Sequence, residues 1–333
     1  MVAAVEAERE PVEHEGQRYL PVSIESIRVN SIPPFDLYLQ AGSAPPIVLY
    51  CERNTLFTAK ARRQLENNRV TLLYVRSDNR TAYNSYLADN LEKILKDASL
   101  TVKKKAVILY DCAQAVVEDV LARPRSREGI DRGKTVMRQT VDFMTSDDFM
   151  LEHLLRTISC DYYLYTHSVN VVAYTVALAL EAGYHDRALL RELANGALLH
   201  DIGKSAIPPA VLNKPGPLTT EERKQIEEHP RIGYQLLLEQ AAVGEIALDI
   251  VLHHHERTDG GGYPERLRAD QISPFVQMAA IADVFDALTT DRFHQKGRST
   301  FEALSTMLKE MSDELDPELV RAFVEMMGSP TRT

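Results

Sequence analysis

Cysteine is scarce in this chain. Its 333 residues include three, Cys51, Cys112 and Cys160, odd in number and far apart, which excludes a disulfide framework and fits reduced thiols in a cytoplasmic protein. Positive charge is also in deficit. The 38 Lys and Arg against 48 Asp and Glu leave a formal net charge of -10, so the broad basic surface that a nucleic-acid polymer requires is missing. An anionic small molecule is not excluded, provided that bound metal ions supply the local positive charge. Long apolar runs are missing too. The most apolar stretch, "VNVVAYTVALALEAG" from Val169, is too short for a bilayer and follows His167 closely, so it reads as a buried helix and no membrane span is expected. The opening "MVAAVEAEREPVEHEGQ" lacks the basic flank and apolar core of a secretory leader.

What remains is an ordinary soluble composition, 44% hydrophobic and 26% charged, in a chain long enough for two domains with cores of their own. Residues 1–98 read as a small α+β domain of regulatory or sensory type. The β-rich runs "FDLYLQ", "PIVLYC" and "RVTLLYV" are separated by turn signals, and helical patterns follow from about Leu56 to Glu66 and over "YNSYLADNLEKILKD". The tyrosines in these runs read as core. From Thr101 an amphipathic helix with Val102, Ala106, Leu109, Val117 and Leu121 on one side makes residues 99–128 a connector, with pairing to its copy in a homodimer as the other reading. Residues 129–333 read as an all-α bundle of seven or so helices. Thr219 with Glu222 forms a capping box, and Ser273-Pro274 opens a helix.

Chemistry is concentrated in that second region. His167, His200-Asp201, His229, the pair His254-His255 and Asp283 each fall on a separate helical segment of one domain. Imidazole and carboxylate ligands with no thiolate among them favour iron or manganese over a structural zinc. Lys204 lies a helical turn beyond His200, and the spacing puts the two on one face. Asp286 follows Asp283 by one turn. It can orient Lys204, help to protonate a leaving oxygen, or accept a hydrogen bond from a ligand.

The stretches "HDIGKSAIPPAVLNKPGPLTTEERKQIEEHPRIG", "HHERTDGGGYPERL" and "AAIADVFDALTTDR" resemble the HD-GYP family of cyclic dinucleotide phosphodiesterases, a branch of the HD phosphohydrolases, over residues 130 to about 330. The resemblance implies an HD-type helical bundle and two divalent ions, Fe or Mn, held by His167, His200, Asp201, His229, His254, His255 and Asp283. Its implied activity is hydrolysis of cyclic di-GMP to pGpG and onward to GMP. Asp201 would bridge the ions, a hydroxide between them would attack phosphorus, and Lys204 would steady the phosphate. Arg292 and Lys296 fall where substrate contacts are expected, with a plain surface arginine as the other reading of Arg292. Gly262, Tyr263 and Pro264 would form an exposed loop that docks a partner such as a GGDEF-type cyclase.

Two departures stand out. Tyr163 occupies a position where some members carry a third-metal glutamate, so two ions are expected. After Arg292 the chain reads Phe293, His294, Gln295 where the family has proline, tyrosine and a basic residue, which bears on the choice of dinucleotide. Two other functions fit the same residues: hydrolysis of another cyclic dinucleotide such as 3',3'-cGAMP, and a non-catalytic receptor or docking module. His253 reads as a bystander and Glu256 as support for the adjacent histidines.

Overall fold

The computed structural model describes residues 11–40, 47–158, 164–291 and 296–328. The chain divides into two compact units, Met1–Cys112 and Ala113–Thr333. The first carries a five-stranded antiparallel sheet in the order β1-β2-β5-β3-β4, formed by β1 (Val12–His14), β2 (Gln17–Ser23), β3 (Leu37–Gln40), β4 (Ile47–Cys51) and β5 (Leu72–Arg76). The last three are the strands expected from the β-rich runs. The β1–β2 hairpin was not legible in advance, because its turn is Glu15-Gly16 rather than Asn-Gly and β2 contains Pro21. Both turn residues have positive φ, 51° and 73°, which matches the twist of a two-residue hairpin.

Helix α1 (Ala59–Asn67) starts where the Thr58 hydroxyl accepts from the N–H of Ala61 at 3.1 Å, and α2 (Arg80–Leu95) follows β5. The core of this unit gathers Val22, Ile24, Ile27, Phe35, Leu37, Phe57, Leu65, Leu73, Val75 and Tyr86. Of the tyrosines in those runs, Tyr74 and Tyr86 are buried as expected, whereas Tyr38, Tyr50 and Tyr83 are half-buried. Helix α3 (Val102–Ala122) spans the amphipathic stretch expected there, and the division between the two units falls within it.

The second unit is helical, with an isolated bridge between Asp259 and Arg268. Its helices are α4 (Arg127–Met144), α5 (Asp148–Leu155), α6 (Leu164–Glu181), α7 (Arg187–Leu199), α8 (Pro209–Leu212), α9 (Thr220–Glu227), α10 (His229–Glu239), α11 (Glu245–His253), α12 (Pro274–Thr289), α13 (Thr300–Lys309) and α14 (Pro317–Gly328). This exceeds the seven or so expected because several patterns are cut into pieces by local breaks. Both anticipated caps form. Thr219 and Glu222 make the capping box of α9, and the Ser273 hydroxyl accepts from Val276 at the start of α12. Helix α6 packs on α7 and α12, while α4 and α11 cover other faces of α7. The apolar run from Val169 is thus buried within the helical bundle, and no helix of the described residues is long and apolar enough to cross a membrane.

Candidate metal centre

The histidines converge because they sit at the ends of helices that meet. His200 is the C-cap of α7, His229 opens α10, and His254 is the C-cap of α11. The chain does not continue as helix through "HDIGK", contrary to the expectation of one face shared by His200 and Lys204. Helix α7 stops at Leu199 and residues Ile202–Ala206 form a 3-10 turn, which brings Lys204 back so that its ammonium donates to Asp201 Oδ2 at 2.6 Å. The turn lies very close to α10. A Cβ at Gly203 would come within 1.9 Å of the His229 carbonyl oxygen, so only glycine allows this approach.

All seven expected ligands come together. One group is Asp201, His229, His254 and His255, the other His167, His200 and Asp283, and within each group the ligand atoms lie within 4.8 Å of one another. Asp201 Oδ1 is 3.2 Å from His229 Nε2, while Asp201 Oδ2 is 3.4 Å from His200 Nε2. The carboxylate therefore faces both groups, as a bridging ligand must.

The residues pass a test of fit for cations. His200, His229 and His254 each donate Nδ1–H to a backbone carbonyl: Ala197 at 2.7 Å, Ile226 at 2.6 Å and Val251 at 3.1 Å. These bonds fix the tautomer in which the Nε2 lone pair points inward. His200 Nε2 and Asp201 Oδ1 are buried and make no hydrogen bond, an arrangement that costs free energy unless something else occupies the space between them.

The electrostatics agree. Burial would raise the Asp201 carboxyl, but Lys204 and His200 hold it well below the usual carboxylate range. Asp283 is held well below that range despite its burial by the neighbouring His167. Burial depresses His255 to about 3 and holds His254 well below its ordinary value, so both are neutral, as ligands must be. His167 is the exception. Burial alone would lower it, yet contacts to Asp283 and Asp286 on its two nitrogens lift it to about 10 in the absence of metal.

Asp286 stands behind His167. It accepts from His167 Nδ1 at 2.7 Å, from Asn170 at 2.7 Å and from the Thr290 hydroxyl at 3.3 Å, and it is only 1% exposed. Of the three roles considered for it, the geometry matches the hydrogen-bond acceptor that orients a ligand. Asn170, which sequence reasoning missed, holds the other carboxylate oxygen; a buried asparagine in an apolar helix was the available signal. His253 turns aside to Asp249 at 2.7 Å.

The Gly-Tyr-Pro segment differs most from expectation. Tyr263 is half-buried instead of forming an exposed handle, and its ring lies 4.7 Å from that of His255 at 31°. Glu256, expected to support the adjacent histidines, makes its three side-chain hydrogen bonds to backbone N–H groups of residues 265–267. Lys296 is exposed and joins neither ligand group. Arg292, the three residues after it, Tyr163 and Cys160 lie outside the described residues; Cys51 and Cys112 are free thiols.

Comparison with known proteins bears on this centre. The HD domain family profile matches residues 153–319, a span that includes every ligand. This chain is an HD-GYP family member. It is similar to PA4108, a cyclic di-GMP phosphodiesterase of Pseudomonas aeruginosa, with 39% identity over 231 residues, covering 68% of this chain and 54% of that protein. It is also similar to 3'3'-cGAMP-specific phosphodiesterase 3 of Vibrio cholerae, with 29% identity over 251 residues, covering 72% of this chain and 54% of that one. The HD-GYP chain thus spans about half the length of these curated relatives. Among solved structures it resembles Bd1817, a HDG"Y"P protein from Bdellovibrio bacteriovorus, with a TM-score of 0.65 and 21% identity over 93% of this chain and 100% of that one. At that identity the likeness speaks for the fold alone.

Proposed function

We propose that this chain hydrolyses cyclic di-GMP to the linear dinucleotide pGpG and onward to GMP. The observation that carries the reading is the convergence of seven side chains into two adjoining ligand groups that share Asp201, with the Lys204 ammonium beside them. Two divalent ions, Fe or Mn, fit the imidazole and carboxylate donors; when bound, such ions acidify water and neutralise charge on phosphoryl oxygens. The protein's own groups do the rest. Asp201 faces both ligand groups and would hold the ions between them, and Lys204, tethered to it, would present a cation to the phosphate as charge develops there. Asp286 keeps the His167 ring turned so that Nε2 faces inward. Arg292 and Lys296 supply substrate contacts beyond the centre.

The remaining readings are organised around that site. Residues 1–98 serve as a regulatory domain and 129–333 as the catalytic domain, joined through 99–128 by α3, which is also a surface for homodimer formation. A GGDEF-type cyclase would reach the Gly-Tyr-Pro loop from its outer side, at Pro264 and the exposed residues after it, since the Tyr263 ring is turned inward. The protein acts in the cytoplasm. A second reading is hydrolysis of 3',3'-cGAMP, which the name of the Vibrio cholerae relative carries; Phe293, His294 and Gln295 alter the segment expected to contact the dinucleotide and so bear on the choice between the two.

The test is turnover of cyclic di-GMP and 3',3'-cGAMP by protein prepared without oxygen and loaded with iron or manganese, with metal measured on the same samples. Two ions per chain and hydrolysis of cyclic di-GMP are expected, and both are lost in the double variant His200→Ala, Asp201→Ala. Hydrolysis that survives this change, or reproducible absence of turnover with both ions bound, would overturn the proposal.

A further inference from the structure

The ligand histidines are not all held in the same way. His200, His229 and His254 are anchored through Nδ1 to backbone carbonyls, and His167 is anchored through Nδ1 to Asp286. His255 has no such bond among the described residues. Its Nδ1 is 3.7 Å from Asp283, and its side chain is the most exposed of its group at 19%. An imidazole without an anchor must be oriented by packing: within the ligand group the rings of His254, at 4.2 Å, and His229, at 5.1 Å, lie against it, and from outside the group the ring that packs on it is Tyr263, at 4.7 Å.

Tyr263 is in turn held from outside. The Glu256 side chain, in a residue only 2% exposed, accepts from the N–H groups of Glu265 at 2.6 Å, Arg266 at 3.1 Å and Leu267 at 2.9 Å. Successive N–H groups aim at one carboxylate because Arg266 adopts a positive φ of 57°, a backbone concavity suited to an anion. The loop is laced to the 255–257 segment at its other end as well. Tyr263 N–H donates to the His255 carbonyl at 3.2 Å, and the place of a Cβ at Gly262 is filled by Arg257 N at 2.4 Å and the Glu256 Cα at 2.5 Å.

We infer that Glu256 is a positioning residue for the metal group of Asp201, His229, His254 and His255: it fixes the loop that presses Tyr263 onto His255, and so supplies the orientation that the other histidines draw from hydrogen bonds. The inference rests on the metal-centre reading and not on the identity of the substrate.

The experiment is titration of Mn2+ into the full-length protein, with bound ions counted by equilibrium dialysis and by loss of the free-ion paramagnetic resonance signal. Glu256→Gln replaces an acceptor oxygen by an N–H2 facing backbone donors. Affinity for one of the two ions is expected to fall about 10- to 100-fold, the range typical for groups that support a ligand, while the other ion binds as before. Tyr263→Ala should weaken the same ion, Tyr263→Phe should not, and the double variant Glu256→Gln, Tyr263→Ala should be little worse than either alone, because the two residues act in series. Equal weakening of both ions, or unchanged Mn2+ binding with only a lowered Tm, would overturn the inference. Glu256→Asp, which keeps the charge but withdraws it from the loop, gives the same reading if the glutamine variant fails to fold. Ion binding is measured without substrate, so failure of the phosphodiesterase reading would leave this result standing.

Discussion

Gly203→Ala adds one methyl group where the structure has no room for it. The new Cβ would stand 1.9 Å from the His229 carbonyl oxygen, 2.7 Å from Gly233 N and 2.8 Å from the His229 carbonyl carbon, all backbone atoms that cannot rotate away. Restoring the 3.0 Å below which Cβ contacts are essentially never found requires the 3-10 turn and α10 to part by about 1.1 Å. The Asp201 to His229 approach, 3.2 Å, would then open to about 4.3 Å. Overpacking of this size costs roughly 1–3 kcal/mol of stability, and a displacement of about 1 Å in reacting groups costs on the order of 100-fold in rate. Chemical denaturation, Mn2+ titration and turnover on the same preparation would measure all three effects. Gly129→Ala is the control, since its Cβ would meet nothing closer than 3.5 Å, and its stability should be unchanged or higher. Gly203→Ala with wild-type ion affinity and turnover would refute the claim that close backbone approach sets the centre.

Three other outcomes follow from the same geometry. Asp286→Asn places an amide beside the Asn170 side chain and removes the charge facing His167 Nδ1; affinity for the ion in the His167 group should fall about 10- to 100-fold, and unchanged binding of both ions would refute this role. Lys204→Ala should retain both ions while kcat drops on the order of 10²–10³-fold, whereas turnover at the wild-type rate would remove Lys204 from the mechanism. In the first unit, burial would raise the Glu25 carboxyl, but Lys104 and Ser23 together hold it below its ordinary value of 4.5. A depressed folded-state pKa stabilises above the unfolded value and loses that contribution as pH falls through the folded one, so hydrogen-exchange protection factors at residues 24–27 should fall below about pH 4.5 in the wild type and less steeply in Glu25→Gln; parallel acid profiles would contradict this.

The ligand set was legible in the sequence because metal chemistry constrains residue type. Only a few side chains can serve at His200, Asp201 or Asp283, and their order along the chain could be read directly. The carboxylate of Glu256 is a different case. Its partners are main-chain N–H groups of residues 265–267, and a backbone donor leaves no mark on the identity of the residue that carries it. The inward turn of Tyr263 was hidden for the same reason, since glycines and a proline around it suggested an exposed turn while Gly262 in fact serves close approach. Likewise, His167 and Asp286 are 119 residues apart, and three roles for Asp286 stayed open until the bundle brought them together. In the first unit, β3, β4 and β5 announced themselves by β-branched and aromatic residues, whereas β1 and β2 are polar, short or proline-bearing and depend on the sheet for their conformation.

The placement of the ligands at helix ends has a physical reason beyond convergence. Within a helix each carbonyl is engaged by the N–H four residues on, but carbonyls of the last turn are short of partners. Ala197 lies in the last turn of α7, Val251 in that of α11 and Ile226 in that of α9, and each accepts the Nδ1–H of the histidine three residues downstream. The helix ends thereby gain a partner while the imidazole gains a fixed tautomer, so one hydrogen bond serves stability and the centre together. At the break at Glu228 between α9 and α10 the residue four on from Ile226 is Pro230, which has no N–H, so the Ile226 carbonyl lacks that helical partner and takes His229 instead. His255, one residue past the C-cap of α11, makes no such bond among the described residues, and its orientation falls to the loop that follows.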